Sequence, residues 1–253
     1  LKPNDPGYEG NLGDAYLQRT DFDAAEAHFE SAIKVSPQDA TLHYDLGLAL
    51  KMKDRLPDAI AEFKKAEELN PQLADAHYTL GVTLWQQGNL AAAAEELRAA
   101  VHAKPDYAEA YYTLGSVLKQ KGDLKPAAAA LQEAIRLQPD FAGAHTNLGA
   151  VLRQLGDADG AAAESRKGMA LLKEKSSEQA AVFATNSGRR LLKVGDLDGA
   201  ISQFRAAIRS MPGYAPGHYE LGLALHRKGN QEAAAAEFQK AAELDPRMKA
   251  PSQ

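Results

Sequence analysis

Apolar positions recur along this chain with a long period. Over Ala74–Tyr107 it reads ADAHYTLGVTLWQQGNLAAAAEELRAAVHAKPDY, and over Ala108–Phe141 it reads AEAYYTLGSVLKQKGDLKPAAAALQEAIRLQPDF. In the first stretch Ala76, Leu80, Gly81 and Leu84 fall on one helical stripe. Gly88-Asn89 reads as a helix stop followed by an N-cap. Leu90, Ala93, Leu97, Ala100 and Val101 form a second stripe, closed by Lys104-Pro105 because proline cannot continue a helix. The spacing predicts two short antiparallel helices per repeat. So small a pair must bury its outer faces on neighbouring pairs, which is the logic of a solenoid.

Gly13, Gly47, Gly81, Gly115, Gly149, Gly188 and Gly222 share one phase inside the first helix. A glycine there costs ~0.5–1 kcal/mol relative to alanine, so local propensity opposes every one of these helices. A close helix crossing, where a Cβ would clash, outweighs it. On the second helix small residues recur at Ala25, Ala59, Ala93, Ala127, Ala161, Ala200 and Ala234, and again seven residues later in most repeats. Between them stands a bulky plug: Phe29, Phe63, Leu97, Leu131, Phe204 or Phe238.

Leucine-glycine, an alanine, a plug, a second alanine and a closing proline at this period resemble the tetratricopeptide repeat. The resemblance covers nearly the whole chain and implies an all-α fold, an α-solenoid with a right-handed superhelix of antiparallel helix pairs. It implies seven repeats at 6–39, 40–73, 74–107, 108–141, 142–180 (with a five-residue insertion), 181–214 and 215–248. Residues 1–5 read as the tail of a preceding repeat, because Pro3 is in phase with Pro37, and 249–253 as a closing tail. A fragment of a longer protein is therefore expected. Members of the family are mostly scaffolds that hold peptides or partner helices in a concave groove lined by the first helices.

The insertion lies near Lys175–Ala180, where Lys173 replaces the proline, Ser165 the plug, Gly168 the second alanine and Ser187 the leucine. The second helix of repeat five is expected to run on by a turn or more, with Ser176-Ser177-Glu178-Gln179 capping the next helix. A softer joint between repeats five and six follows. No polar helix closes the C-terminus, so the last pair is expected to expose an apolar flank open to self-association.

Composition narrows the function. A net charge of −5 disfavours a non-specific nucleic-acid binder. No apolar run approaches a membrane span, so no membrane insertion is expected. With no cysteine, disulfide and thiol chemistry are out. Either redox compartment fits; a cytoplasmic location is favoured over a periplasmic or secreted one. No catalytic constellation or phosphate-cradling loop stands out, so the chain reads as non-enzymatic, with no cofactor. His43, His77, His145 and His218 occupy one repeat position and read as packing residues, because none has a second histidine at i+4, and no metal is expected.

Candidate binding residues lie at the first-helix positions that line the groove in the family. Tyr44, Tyr78, Tyr112 and Tyr219 stand three before the glycine as an aromatic ladder. Asn11, Thr79, Thr113, Asn147 and Asn186 stand two before it, and Gln86, Gln120 and Gln154 five after; amides suit an extended peptide backbone. Trp85 stands at the groove edge. The asparagines resemble those lining the repeat arrays of O-linked N-acetylglucosamine transferases, in three of seven repeats. An alternative reading is thus the substrate-recruiting arm of a larger enzyme such as a glycosyltransferase. The two-carboxylate clamp of chaperone co-factors is not reproduced: its positions hold Gly10, Asp14, Asp45, Asp75 and Thr79. Residues 1–126 hold 13 basic and 20 acidic residues, whereas 127–253 hold 16 and 14. With Arg153, Arg189, Lys193 and Arg227 late in the groove, a protein or peptide segment with an acidic end toward repeats five to seven is expected.

Overall fold

The computed structural model describes residues 6–249, so the expected tails at 1–5 and beyond 249 lie outside the described residues. Among the described residues every regular element is an α-helix. They are α1 (Pro6–Gln18), α2 (Phe22–Val35), α3 (Ala40–Met52), α4 (Leu56–Leu69), α5 (Ala74–Gln86), α6 (Leu90–Ala103), α7 (Ala108–Lys121), α8 (Leu124–Leu137), α9 (Ala142–Leu155), α10 (Ala158–Lys193), α11 (Leu197–Ser210), α12 (Ala215–Arg227) and α13 (Gln231–Leu244). The chain divides into two compact units, one ending at Gly168 and the other beginning at Met169. In each unit, helices adjacent in sequence pack on one another. This is the α-solenoid arrangement.

The repeated glycines mark where the two helices of a pair touch. A Cβ on Gly13 would stand 2.4 Å from the Phe29 ring, and one on Gly47 2.5 Å from Phe63. The same holds for Gly81 against Leu97 at 2.8 Å and Gly115 against Leu131 at 2.6 Å. In the second unit Gly188 meets Phe204 at 2.5 Å and Gly222 meets Phe238 at 2.8 Å. Phe29, Phe63, Leu97, Leu131 and Phe204 are completely buried. The plug thus fills the space the missing side chain leaves, and its burial offsets the propensity cost of the glycine. In repeat five the plug shrinks to Ser165 and the second alanine to Gly168. There the helices are close enough that a Cβ on Gly149 would stand 3.0 Å from the Ala161 carbonyl oxygen, and one on Gly168 3.0 Å from that of Ala142. Small residues on both sides compensate for the lost plug.

A polar clamp recurs beside this contact. Nδ1 of His43 lies 2.6 Å from Glu62 Oε2, and its Nε2 lies 3.2 Å from the carbonyl oxygen of Pro37. His145 with Glu164 and Pro139 repeats the arrangement in the first unit, as does His218 with Glu237 and Pro212 in the second. Each histidine ties its own helix to the next helix and to the preceding loop. Repeat one carries the pair reversed, Glu9 on His28 at 2.7 Å, so His28 is a clamp partner.

Between the two helices of a pair the chain turns through a left-handed residue. Glycine supplies it at Gly88, Gly122, Gly156, Gly195 and Gly229, but Thr20 and Asp54 occupy the same turn position at φ 60°. Asp21, Asn89, Asp196 and Asn230 then cap the second helix, each accepting a hydrogen bond from the backbone N–H three residues on.

Two expectations change. Ser176–Gln179 caps nothing: the second helix of repeat five and the first of repeat six are one 36-residue helix, α10. The segment 172–180 has no proline, glycine or cap geometry, and helix-forming residues there simply continue the helix. The last pair does not expose a broad apolar flank. Glu232, Gln239, Lys240 and Glu243 face solvent on α13, and among its described side chains Leu244 is the large apolar one exposed. Exposed apolar side chains gather on α10 instead, at Met169, Leu172, Val182 and Phe183.

Two substitutions test this account. Gly47→Ala improves helix propensity yet is expected to destabilise the protein by about 1–3 kcal/mol, because the new methyl collides with a fully buried ring. A neutral or stabilising effect in urea melts would sink the crossing argument. Thr20→Gly is expected to stabilise by about 0.5–1 kcal/mol by removing a β-branched residue from the left-handed region, read from the same melts.

Candidate functional site

The first-helix face of the first unit carries α1, α3, α5, α7 and α9. Its tyrosines are half-buried and lean on the protein's own aromatic rings. Tyr44 lies 5.9 Å from Phe63, Tyr78 5.0 Å from Tyr107, and Tyr112 4.6 Å from Phe141, ring centre to ring centre. In the second unit Tyr219 meets Phe238 edge-on at 5.6 Å. Tyr107 and Phe141 escaped the sequence reading although they too stand 34 residues apart, just ahead of α7 and α9. They form one wall of the ladder, each packed from the end of the same repeat, so the tyrosines present an edge rather than a whole face.

Polar groups on this face tie successive first helices together. The Tyr44 hydroxyl lies 3.3 Å from Thr79 Oγ1. Trp85 Nε1 donates to Gln120 Oε1 at 2.7 Å, bridging α5 and α7 while the ring stays half-buried. Asn147 donates to Ser116 Oγ at 2.9 Å and accepts from Lys119 Nζ at 2.7 Å, bridging α9 and α7. Thr79 and Thr113 are buried, and the Thr113 hydroxyl donates to the Glu109 carbonyl. They brace the wall. Asn11, Gln86, Gln120, Gln154 and Arg153 are exposed on the same helices. In the second unit Asn186, Lys193 and Arg227 are exposed, and Arg189 donates to Glu220 at 2.7 Å, which neutralises part of its charge. A cavity of about 660 Å³ opens beside α11 and α12, lined by residues such as Asp198, Arg205, Arg209 and Lys228, and none of the candidate groove residues lines it.

The acidic bias of the early repeats has a local centre. Burial, with the nearby charges of Asp14 and Asp39, pushes the Asp45 carboxyl up to about 7. Burial also raises the Tyr44 hydroxyl, with Asp75 and Asp45 adding to the rise. Burial and neighbouring carboxylates here favour the protonated carboxyl.

The histidine position departs from expectation in one repeat. His77 has two carboxylates on Nδ1: Glu96 Oε2 at 2.9 Å and Glu67 Oε1 at 3.1 Å. None of the four histidines has a second histidine one turn along its own helix. Both partners come from neighbouring helices, α4 and α6. Glu67 and Glu96 hold His77 protonated, pushing it up to about 10 against the effect of burial.

Asp45→Asn tests the acidic centre. With a folded value near 7 and an ordinary one of 3.8, the unfolded chain loses this proton first as pH rises. Stability therefore falls between those values and is level above. The variant is expected to gain stability over the parent as pH rises from about 4 to about 7, and to keep that gain at higher pH. Thermal melts across this range check it, and a gain confined to acid would contradict it.

The tetratricopeptide repeat family model matches residues 11–74, 53–108, 78–140, 112–171 and 185–248. A crystal structure of MamA is 30% identical over 65% of this chain and 96% of its own, with a TM-score of 0.60. A second MamA crystal structure is 28% identical over 68% and 93%, at 0.61. MamA from Desulfovibrio magneticus RS-1, from residue 41 to its end, is 27% identical over 67% and 96%, at 0.61. No curated protein matches the chain.

Proposed function

The chain belongs to the tetratricopeptide repeat family, and from that premise we propose that it is a non-enzymatic scaffold holding a peptide or partner segment along its first helices. One observation carries the reading. Exposed amides and half-buried aromatic rings recur on the first-helix face of the first unit, at Asn11, Gln86, Gln120, Gln154, Tyr78, Trp85 and Tyr112. The helix-pair contacts centre on the glycine and plug, and these side chains form a half-exposed fringe beside that core. Aromatic edges offer contact area at low entropic cost, and amides offer both a donor and an acceptor to a backbone.

Charge gives the segment a direction. The strip around Asp14, Asp45 and Asp75 favours a basic stretch of partner. Exposed Arg153 at the end of the first unit favours an acidic end of the segment there, and exposed Lys193 and Arg227 make the second unit, taken by itself, favour acidic partner residues as well. Repeat six contributes less than its formal charge, because Arg189 is paired with Glu220.

Trp85 reports on the test. Peptides selected from a random library on the full chain are expected to shift its emission on binding. Joint replacement of Gln86, Gln120 and Trp85 by alanine, with binding then followed by calorimetry, should weaken the selected peptides by at least about tenfold and leave far-UV circular dichroism unchanged. Undiminished affinity in a variant of unchanged helicity would move the binding surface elsewhere.

A further inference from the structure

Glu67 breaks the internal pattern of its own chain. The equivalent position in other repeats holds Ile33, Val101, Ile135, Met169, Ile208 or Ala242, an apolar residue toward the end of the second helix. Here it holds a carboxylate whose side chain is only 13% exposed. Its Oε1 is shut off from solvent and lies 3.1 Å from His77 Nδ1, an ion-pair contact outside good hydrogen-bond geometry. Burying a carboxylate costs several kcal/mol unless its charge is balanced, so a glutamate without that imidazole would be worse there than isoleucine.

That oxygen points at an imidazole that is already committed. His77 Nε2 lies 3.2 Å from the Pro71 carbonyl oxygen, an acceptor, so Nε2 carries a proton. Nδ1 faces both carboxylates, so in the ion-free protein it carries a proton, which Glu96 Oε2 accepts at 2.9 Å and which a bound ion would replace. Three ligand atoms, Glu67 Oε1, His77 Nδ1 and Glu96 Oε2, therefore converge within 4.8 Å of one another from three helices. The clamps at His43, His145 and His218 have the histidine, one glutamate and the proline carbonyl, but no third ligand in this place.

We infer that Glu67, His77 and Glu96 form a binding site for a divalent transition-metal ion of the zinc class, joining α4, α5 and α6. One imidazole nitrogen and two carboxylate oxygens suit zinc, which binds both donors at about 2.0–2.2 Å. A tetrahedral ion with such bonds holds its ligands about 3.3–3.6 Å apart. The observed 2.9 and 3.1 Å separations need open by only a few tenths of an ångström. Pro71 is the outer partner that orients a metal-binding histidine and sets its tautomer. Glu96 is 24% exposed on its side chain, which leaves a side from which water completes the shell. Two carboxylates balance the charge of the ion, so binding exchanges the Nδ1 proton for the metal. Calcium and magnesium fit poorly, since they take six or more oxygen-type ligands.

Zinc titration of the full, metal-stripped chain tests the site. The parent is expected to bind one Zn²⁺ per chain by calorimetry, to melt at a higher temperature with it, and to return to the lower value with chelator. Co²⁺ is expected to give the visible absorption of a four-coordinate site. Glu67→Gln should weaken zinc by about tenfold or more. Glu67→Ile should abolish binding while raising the melting temperature of the metal-free protein. His43→Ala, which removes a clamp without a third ligand, should leave zinc affinity unchanged. Equal affinity in the parent and Glu67→Gln, zinc loss in His43→Ala, or no zinc uptake by the parent would each overturn the site and leave an imidazolium shared between two carboxylates. Peptide binding is measured separately, so failure here leaves the proposed scaffold role standing.

Discussion

The contact between a backbone without a side chain and a buried ring is what the rest of this structure depends on. The glycine of each first helix lets the plug of the second lie directly on the main chain. Gly13 on Phe29, Gly47 on Phe63 and Gly188 on Phe204 are one contact written three times. The glycine weakens its own helix, and the plug recovers that loss through dense apolar burial. Repeat five reaches a similar closeness by a different route, with Ser165 and Gly168 allowing the two helices to approach through small residues on both sides.

Once the pairs are closed this way, polar chemistry is left for positions beside the contact. The histidine–glutamate clamp fastens a first helix to the following helix and to the loop before it. Its variants stay coherent: reversed as Glu9 and His28, and replaced by Tyr111 with Ala130 where the polar pair is absent. On the other side of the first helices, Tyr44 with Thr79, Trp85 with Gln120, and Asn147 with Ser116 act as struts between neighbouring repeats. The candidate binding strip is therefore part of the framework, which holds its aromatic edges in fixed positions.

Against so regular a background, one irregular residue stands out. Glu67 occupies a site that the other second helices give to apolar residues, and it meets a clamp that is already complete. An asymmetric substitution in a repeat array has its own physical cost, and that cost needs a local gain. The proposed ion at His77 supplies it by coordinating a carboxylate oxygen that the protein alone pairs only with a shared imidazole.

Helix pairs, their period and the crossing at glycine were legible in the chain because each is set by residues a few positions apart and repeated many times. The aromatic ladder and the amide strip were legible for the same reason. What only the folded molecule decided is which side chains meet across helices. Glu67 and Glu96 reach His77 from 10 and 19 residues away, Tyr107 and Phe141 wall the tyrosines, and Thr79 and Thr113 turn inward. The continuity of α10 was half-legible: a missing proline announced a longer helix, but a weak cap sequence could not say where it would end. Local periodicity carries the energy of helix formation, whereas these meetings carry desolvation and charge, which take their values only when distant segments are brought together.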